Sequence, residues 1–289
     1  MTTDERFFPI NGVHLATRLA GDPADPAILL IHGGGHSLLN WDEEFVRRLV
    51  DGGRYVVRYD GRDAGRSTVS PAGSPSHTLR DLAADAAALV PALGLDKAHL
   101  VGMSQGAAVA QLVALDCPQR VASVTLASST PGGPGHFHDD LPRMSEELEQ
   151  VFSAEAAEPD WSDRDAVLDY LVEAERPFAA ASRPFDVAAM RELSGRVLER
   201  SADIAAQLTN PFLLDPGEPW RHRLGQISAP TLVLHGTEDP LLPVEHGHAL
   251  AAEIPGALFL AMPRTGHEVF PRDQWDTVVP AILDHTARH

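Results

Sequence analysis

The sequence predicts an α/β chain: a mostly parallel central sheet flanked by helices, with a helical cap inserted before the last strands. Three observations carry this. Short, largely apolar runs alternate with helix-compatible segments from Ala27 to Ala127; an acidic, proline-punctuated helical stretch replaces them from about Thr130 to Gln226; and the alternation resumes at Thr231. The expected division is therefore a core domain made of residues 1–129 and 227–289 and a cap subdomain of residues 130–226.

Phe7–Arg18 holds two strand-like pieces around Asn11-Gly12, which predicts an antiparallel edge hairpin. Ala27–Ile31, Tyr55–Tyr59, Ala98–Val101 and Val121–Ala127 are short and largely apolar, as expected of parallel strands covered on both faces. Between them lie the predicted helices Glu43–Val50, Leu79–Leu93 and Gly106–Leu115. The second has Thr78 as N-cap and Gly94 as stop, and Pro118 ends the third. After the cap, strand Thr231–Leu234, helix Val244–Ile254, strand Leu258–Met262 and a helix near Trp275–Thr286 complete the pattern.

With 289 residues, 44% of them hydrophobic, the chain can bury a full core. A formal net charge of −18 opposes nucleic-acid binding, which needs clustered Lys and Arg to displace counterions. The single cysteine, Cys117, allows no intrachain disulfide. The acidic N-terminal residues do not read as an export signal, and no apolar run is long enough for a membrane span. The expectation is a cytoplasmic protein with no membrane and no nucleic-acid partner.

Gly102-Met103-Ser104-Gln105-Gly106 stands between the strand Ala98–Val101 and an alanine-rich helix, the context a nucleophile elbow requires. A serine on so tight a turn needs minimal neighbours two residues either side, and both are glycine. Serine alone is a poor nucleophile at neutral pH and needs a base. His267 follows the strand Leu258–Met262 and the turn Pro263-Arg264-Thr265-Gly266, the position a general base takes in the order Ser, acid, His. Glu238 and Asp239 compete as the carboxylate after Thr231–Leu234; spacing and the following Pro240 favour Asp239, leaving Glu238 as a solvated loop charge.

His32-Gly33-Gly34-Gly35 follows the strand Ala27–Ile31, a glycine-rich turn suited to presenting a backbone N–H to an oxyanion. Gly34 is the candidate donor, with the N–H of Gln105 as the second. A phosphate loop is excluded because no Lys-Ser or Lys-Thr follows the glycines. His32 reads as structural. His136-Phe137-His138-Asp139-Asp140 and His246-Gly247-His248 are read as solvated positions rather than metal ligands; no metal and no cofactor are expected.

Many of the aromatic residues fall in the cap, among them Trp161, Tyr170 and Trp220. They fit a small core of its own or the lining of an apolar pocket, and both readings stand. Gly35, Trp41, Phe137, Phe152, Phe178, Phe185 and Phe212 are the candidate substrate contacts.

Together these motifs resemble the α/β-hydrolase superfamily over most of the chain. Asp60-Gly61-Arg62-Asp63-Ala64-Gly65-Arg66-Ser67 is similar to its D-x-R-x-x-G-x-S turn, a structural feature. Residues Gly21 to Ala27, Phe45 to Gly53, Arg58 to Thr68 and Leu82 to Ala86 resemble the aclacinomycin methylesterase group of actinomycete polyketide-tailoring esterases. Arg183-Pro184-Phe185-Asp186 echoes it faintly, while His32 departs from that group.

The resemblance implies hydrolysis of a carboxylic ester, including a methyl ester on a bulky aromatic polyketide, so a small-molecule ester is the expected partner. The same apparatus also serves carbon–carbon bond hydrolases, lactonases, proline-specific aminopeptidases and cofactor-free haloperoxidases. A rival of another class is a non-catalytic protein that captures an apolar ligand beneath the cap.

Overall fold

The computed structural model describes residues 5–133, 138–154 and 158–287. Strands β1 (Glu5–Ile10) and β2 (Val13–Ala20) pair antiparallel across Asn11 and Gly12. Both turn residues have positive φ, 45° and 83°, as a two-residue hairpin between twisted strands demands. Then follow β3 (Ala27–Ile31), α1 (Glu43–Asp51), β4 (Tyr55–Tyr59), α2 (Leu79–Ala92), β5 (Ala98–Met103), α3 (Gln105–Asp116) and β6 (Val121–Ala127).

Between β6 and β7 lie α4 (Glu146–Ser153), α5 (Arg164–Glu175), α6 (Val187–Arg200) and α7 (Ile204–Thr209). The chain closes with β7 (Thr231–Gly236), α8 (Glu245–Glu253), β8 (Leu258–Met262) and α9 (Trp275–Ala287).

The eight strands form one sheet in the order β1-β2-β4-β3-β5-β6-β7-β8. It is parallel from β4 to β8, with the hairpin joined antiparallel at one edge. Side chains alternate along each strand and so feed two cores. Leu29, Ile31, Val57 and Leu100 pack with α2 and α3 on one face; Ile28, Leu30, Val56 and Val101 pack with α1 and α9 on the other. A fully buried leucine contributes about 1.5–3 kcal/mol, so this double coverage is the main stabilising term.

Most predicted element boundaries agree with the structure to within a residue. β5 and β7 each run two residues further than the apolar pattern suggested, because pairing continues through glycine: Gly102 opposes Ile31 and Leu126, and Gly236 opposes Met262. Thr78 caps α2 as expected, its hydroxyl accepting the Asp81 N–H while Asp81 reaches back to the Thr78 N–H.

The α4–α7 segment meets loops at the carboxyl ends of the strands. Gln207 donates to the Gly35 carbonyl after β3 and accepts the Gly65 N–H after β4. The Gln105 amide after β5 donates to Pro211, and the N–H of His267 after β8 donates to Phe178. Trp220 is buried within the α2–α3 core cluster and donates to Gln111 at 3.1 Å, so it is a core residue of the sheet and not part of a pocket.

Gly106 lies where α3 crosses β3, and a Cβ there would meet the carbonyl oxygens of Ile31 and His32. Gly106→Ala is expected to cost about 3 kcal/mol. For a domain of this size the thermal midpoint, read by circular dichroism, should fall by about 5–10 °C; an unchanged midpoint would show that the crossing has room to spare.

Candidate active site

Ser104 occupies the single residue between β5 and α3, with φ 53° and ψ −116°. A non-glycine residue in such a region costs about 1–3 kcal/mol, so the surroundings must hold it there. Its N–H donates to Ala127 at 2.9 Å, and its carbonyl accepts the N–H groups of Ala107 and Ala108 at 2.9 and 3.1 Å. A Cβ on Gly102 would meet the Gly106 carbonyl, so glycine is required where strand and helix nearly touch. The turn lifts the hydroxyl off the sheet and sets it at the positive end of α3.

The histidine and the carboxylate predicted from sequence meet this hydroxyl. The Ser104 hydroxyl donates to His267 Nε2 at 2.8 Å, and His267 Nδ1–H donates to Asp239 Oδ2 at 2.9 Å, the tautomer being assigned from this network. The other oxygen, Asp239 Oδ1, accepts the N–H groups of Leu241 and Leu242 at 3.0 and 2.8 Å. Burial alone would push this carboxyl up. The charge and hydrogen bond of His267, with smaller contributions from His235 and the Leu242 N–H, outweigh it and hold the group below the usual carboxylate range.

Glu238 stays at the solvent-facing side of the loop, as expected, but is not without a partner. It accepts both the N–H and the hydroxyl of Ser182, at 2.9 and 2.7 Å, because the α5–α6 connection descends onto this loop.

The glycine turn after β3 lies beside the elbow. A Cβ on Gly33 would stand 3.5 Å from Ser104 Cβ, and one on Gly34 would stand 3.6 Å from Gln105 Oε1. Among the described residues neither the Gly34 N–H nor the Gln105 N–H donates to a protein acceptor. His32 is structural: its Nδ1–H donates to the Gly33 carbonyl at 2.8 Å and its Nε2 accepts the Gly61 N–H at 3.0 Å.

The candidate substrate contacts separate by position. Phe178 lies with its ring centroid 6.1 Å from that of His267, and Phe152 packs edge-on against Phe178 at 6.1 Å. Phe152 is 51% exposed and Phe212 is 67% exposed, the latter beside Gly35. Phe185 lies under the Arg176 guanidinium. Trp41 is only 1% exposed and packs against Phe45 and Phe270 in the α1–α9 core, so it lies below the rim of the site. Trp161 and Tyr170 pack on each other, within the α4–α7 segment. Phe137 lies outside the described residues.

Two further readings need correction or placement. His246 is buried, not solvated: it donates to the Pro142 carbonyl and pairs with the Thr130 hydroxyl, because α8 packs against the chain leaving β6. His136 lies outside the described residues, and among the described residues no group of three or more His, Cys, Asp or Glu side chains could hold a metal.

Three side chains near the site escaped the sequence reading. His235 Nε2–H donates to the Leu242 carbonyl and steadies the loop that solvates Asp239. His36 Nε2–H donates to Glu175 at 3.2 Å. His36 stood one residue past the glycines and could have been noticed, whereas Glu175 lies in an acidic helix with nothing local to mark it. No helix among the described residues is long and apolar enough to cross a membrane.

Comparison with known proteins identifies the family. Residues 28–281 match the model of the alpha/beta hydrolase family. The chain is 31% identical over 282 residues to rhodomycin D methylesterase DnrP of Streptomyces peucetius, covering 92% of each chain. It is 29% identical over 251 residues to 2-hydroxy-6-oxo-6-phenylhexa-2,4-dienoate hydrolase of Burkholderia cepacia, covering 83% of this chain and 81% of the other. Among solved structures, the esterase RhEst1 of Rhodococcus sp. ECU1013 superposes with a TM-score of 0.76 at 22% identity, covering 99% of both chains. The chain belongs to the alpha/beta hydrolase family.

The strain at Ser104 can be measured. Ser104→Gly and Ser104→Ala both remove the hydroxyl, but only glycine relaxes at positive φ. Ser104→Gly is expected to be the more stable by about 1 kcal/mol, read from urea midpoints; equal midpoints would mean that the backbone stores no strain there.

Proposed function

We propose that this member of the alpha/beta hydrolase family is a serine esterase acting on small-molecule carboxylic esters. The observation that carries this is the His267 imidazole bridging the Ser104 hydroxyl and the buried Asp239 carboxylate. In this reading Ser104 is the nucleophile, His267 the general base and Asp239 the residue that orients the imidazole and stabilises its cation.

Ser104 Oγ attacks the ester carbonyl carbon as His267 takes its proton. The N–H groups of Gly34 and Gln105 hold the oxyanion, and that neither donates to a protein acceptor among the described residues supports this role. The tetrahedral intermediate collapses when His267 returns the proton to the departing alcohol. Water, deprotonated by the same imidazole, then splits the acyl-enzyme and releases the acid.

Likeness to the rhodomycin D methylesterase supports a finer reading, in which the substrate is a methyl ester of a bulky aromatic polyketide-like molecule. Residues 130–226 would then form the cap over the substrate, with Gly35, Phe152, Phe178, Phe185 and Phe212 as contacts. Trp41, buried in the α1–α9 core, is not among them. The likeness to the dienoate hydrolase favours a second reading, with the same side chains serving carbon–carbon bond cleavage.

A fluorophosphonate probe is expected to label Ser104 covalently. Wild-type protein should hydrolyse p-nitrophenyl and aromatic methyl esters faster than lactones, proline amides or dienoates. Ser104→Ala should lower kcat by about 10⁶-fold and Asp239→Asn by about 10⁴-fold. Turnover of dienoates alone would assign the second reading, and ligand retention without turnover, unchanged by Ser104→Ala, would make the protein a binder.

A further inference from the structure

We propose that Glu175, at the end of α5, is a positioning residue which, through His36, holds the glycine turn in the shape that aims the Gly34 N–H at the oxyanion. The proposal rests on the serine-hydrolase reading of the site. The Gly33–His36 turn is closed by one backbone hydrogen bond, from the His36 N–H to the Gly33 carbonyl at 3.3 Å, and Gly35 within it has φ 76°. Such a turn is easily deformed.

His32 and Gln207 hold the carbonyls of Gly33 and Gly35, and the His36 ring adds a third restraint by packing against Gly33, where a Cβ would lie 3.4 Å from His36 Nδ1. Among the described residues that buried nitrogen has no hydrogen-bond partner, so the 3.2 Å hydrogen bond from Nε2 to Glu175 is the polar contact that fixes the ring's tilt. Glu175 itself runs against local preference. A carboxylate at the C-terminus of a helix is opposed by the helix dipole, so its position needs a partner elsewhere.

Burial pushes the Glu175 carboxyl up, but the nearby His36, its hydrogen bond and the more distant His267 bring it below its usual value, and His36 is held above its own. One third of the Glu175 side-chain surface is open, so the ion pair with His36 is half-buried.

The same short segment also grips the other side of the site. Three residues on, the Phe178 carbonyl accepts the His267 N–H at 2.8 Å, and a Cβ on Gly266 would meet the backbone of Phe178 and Ala180. Ser182 binds Glu238, and Arg183 pairs with Glu268. Residues 175–183 therefore tie the turn that presents the oxyanion donor to the turn that carries the base. These turns follow β3 and β8, which are not neighbours in the sheet. Small misplacements of donor and base are costly in rate, which gives such a tie a function beyond packing.

The test is a double-mutant cycle on Glu175→Gln and His36→Asn, read as the second-order rate of Ser104 labelling by a fluorophosphonate. This reaction needs the nucleophile and the oxyanion donors but not the natural acyl group. Each single variant is expected to label about 10–50-fold more slowly, less than the full loss of a donor, with an unchanged thermal midpoint. The double variant should be within about threefold of the slower single one, because the two residues act as one device. For p-nitrophenyl ester hydrolysis the loss should fall in kcat and leave KM within about threefold.

Unchanged labelling, additive losses, or a rise in KM alone would overturn the proposal, the last by making Glu175 a substrate contact. Should Glu175→Gln not fold, Glu175→Asp, which withdraws the charge by one methylene, takes its place under the same criterion. Wild-type protein that labels but cleaves no ester would sink the esterase reading and leave this comparison intact.

Discussion

The backbone of Ser104 is held in a conformation that serine does not choose, and the site is built around that constraint. Two carbonyls fix the turn from either side: Ala127 receives the Ser104 N–H, and the Ser104 carbonyl receives two amides of α3. Gly102 and Gly106 let strand and helix approach until a Cβ at either would strike backbone. Only a core packed on both faces of the sheet can impose this, since the strain is a few kcal/mol and must be outweighed by burial elsewhere. The Ser104 hydroxyl, raised off the sheet, and the Gln105 N–H, without a protein acceptor among the described residues, stand together by geometry rather than by separate design.

The buried Asp239 carboxylate is the second demand on the fold. Taking an ion out of water is costly unless every oxygen is satisfied. Here one oxygen accepts two backbone amides and the other accepts the imidazole, so the charge is kept and directed. His235 secures the same loop through the Leu242 carbonyl, which places an otherwise unremarkable core histidine in the support of the site.

The segment between β6 and β7 ties distant loops together. Its polar side chains and carbonyls reach the loops after β3, β4, β5, β7 and β8, so it links turns that the sheet itself holds apart. Its aromatic residues divide accordingly: Phe152 and Phe178 gather at His267, Trp161 and Tyr170 pack on each other, and Trp220 belongs to the core below.

By itself the sequence determined the sheet, its hairpin edge, the elbow, and the order in which Ser104, Asp239 and His267 follow their strands. These depend on local rules: apolar runs for doubly covered strands, glycine where no Cβ fits, and turn residues after a strand. Even the α4–α7 helices had local marks, since Ser145, Asp163, Asp186 and Asp203 accept the first N–H groups of each. Only the tertiary structure decided that Glu238 binds Ser182, that His246 is buried, that Trp41 and Trp220 lie in the core, and that Glu175 meets His36 across 139 positions. Such pairs join residues with no shared period or motif, and their partners are set by where a helix lands after the chain has left the sheet and returned.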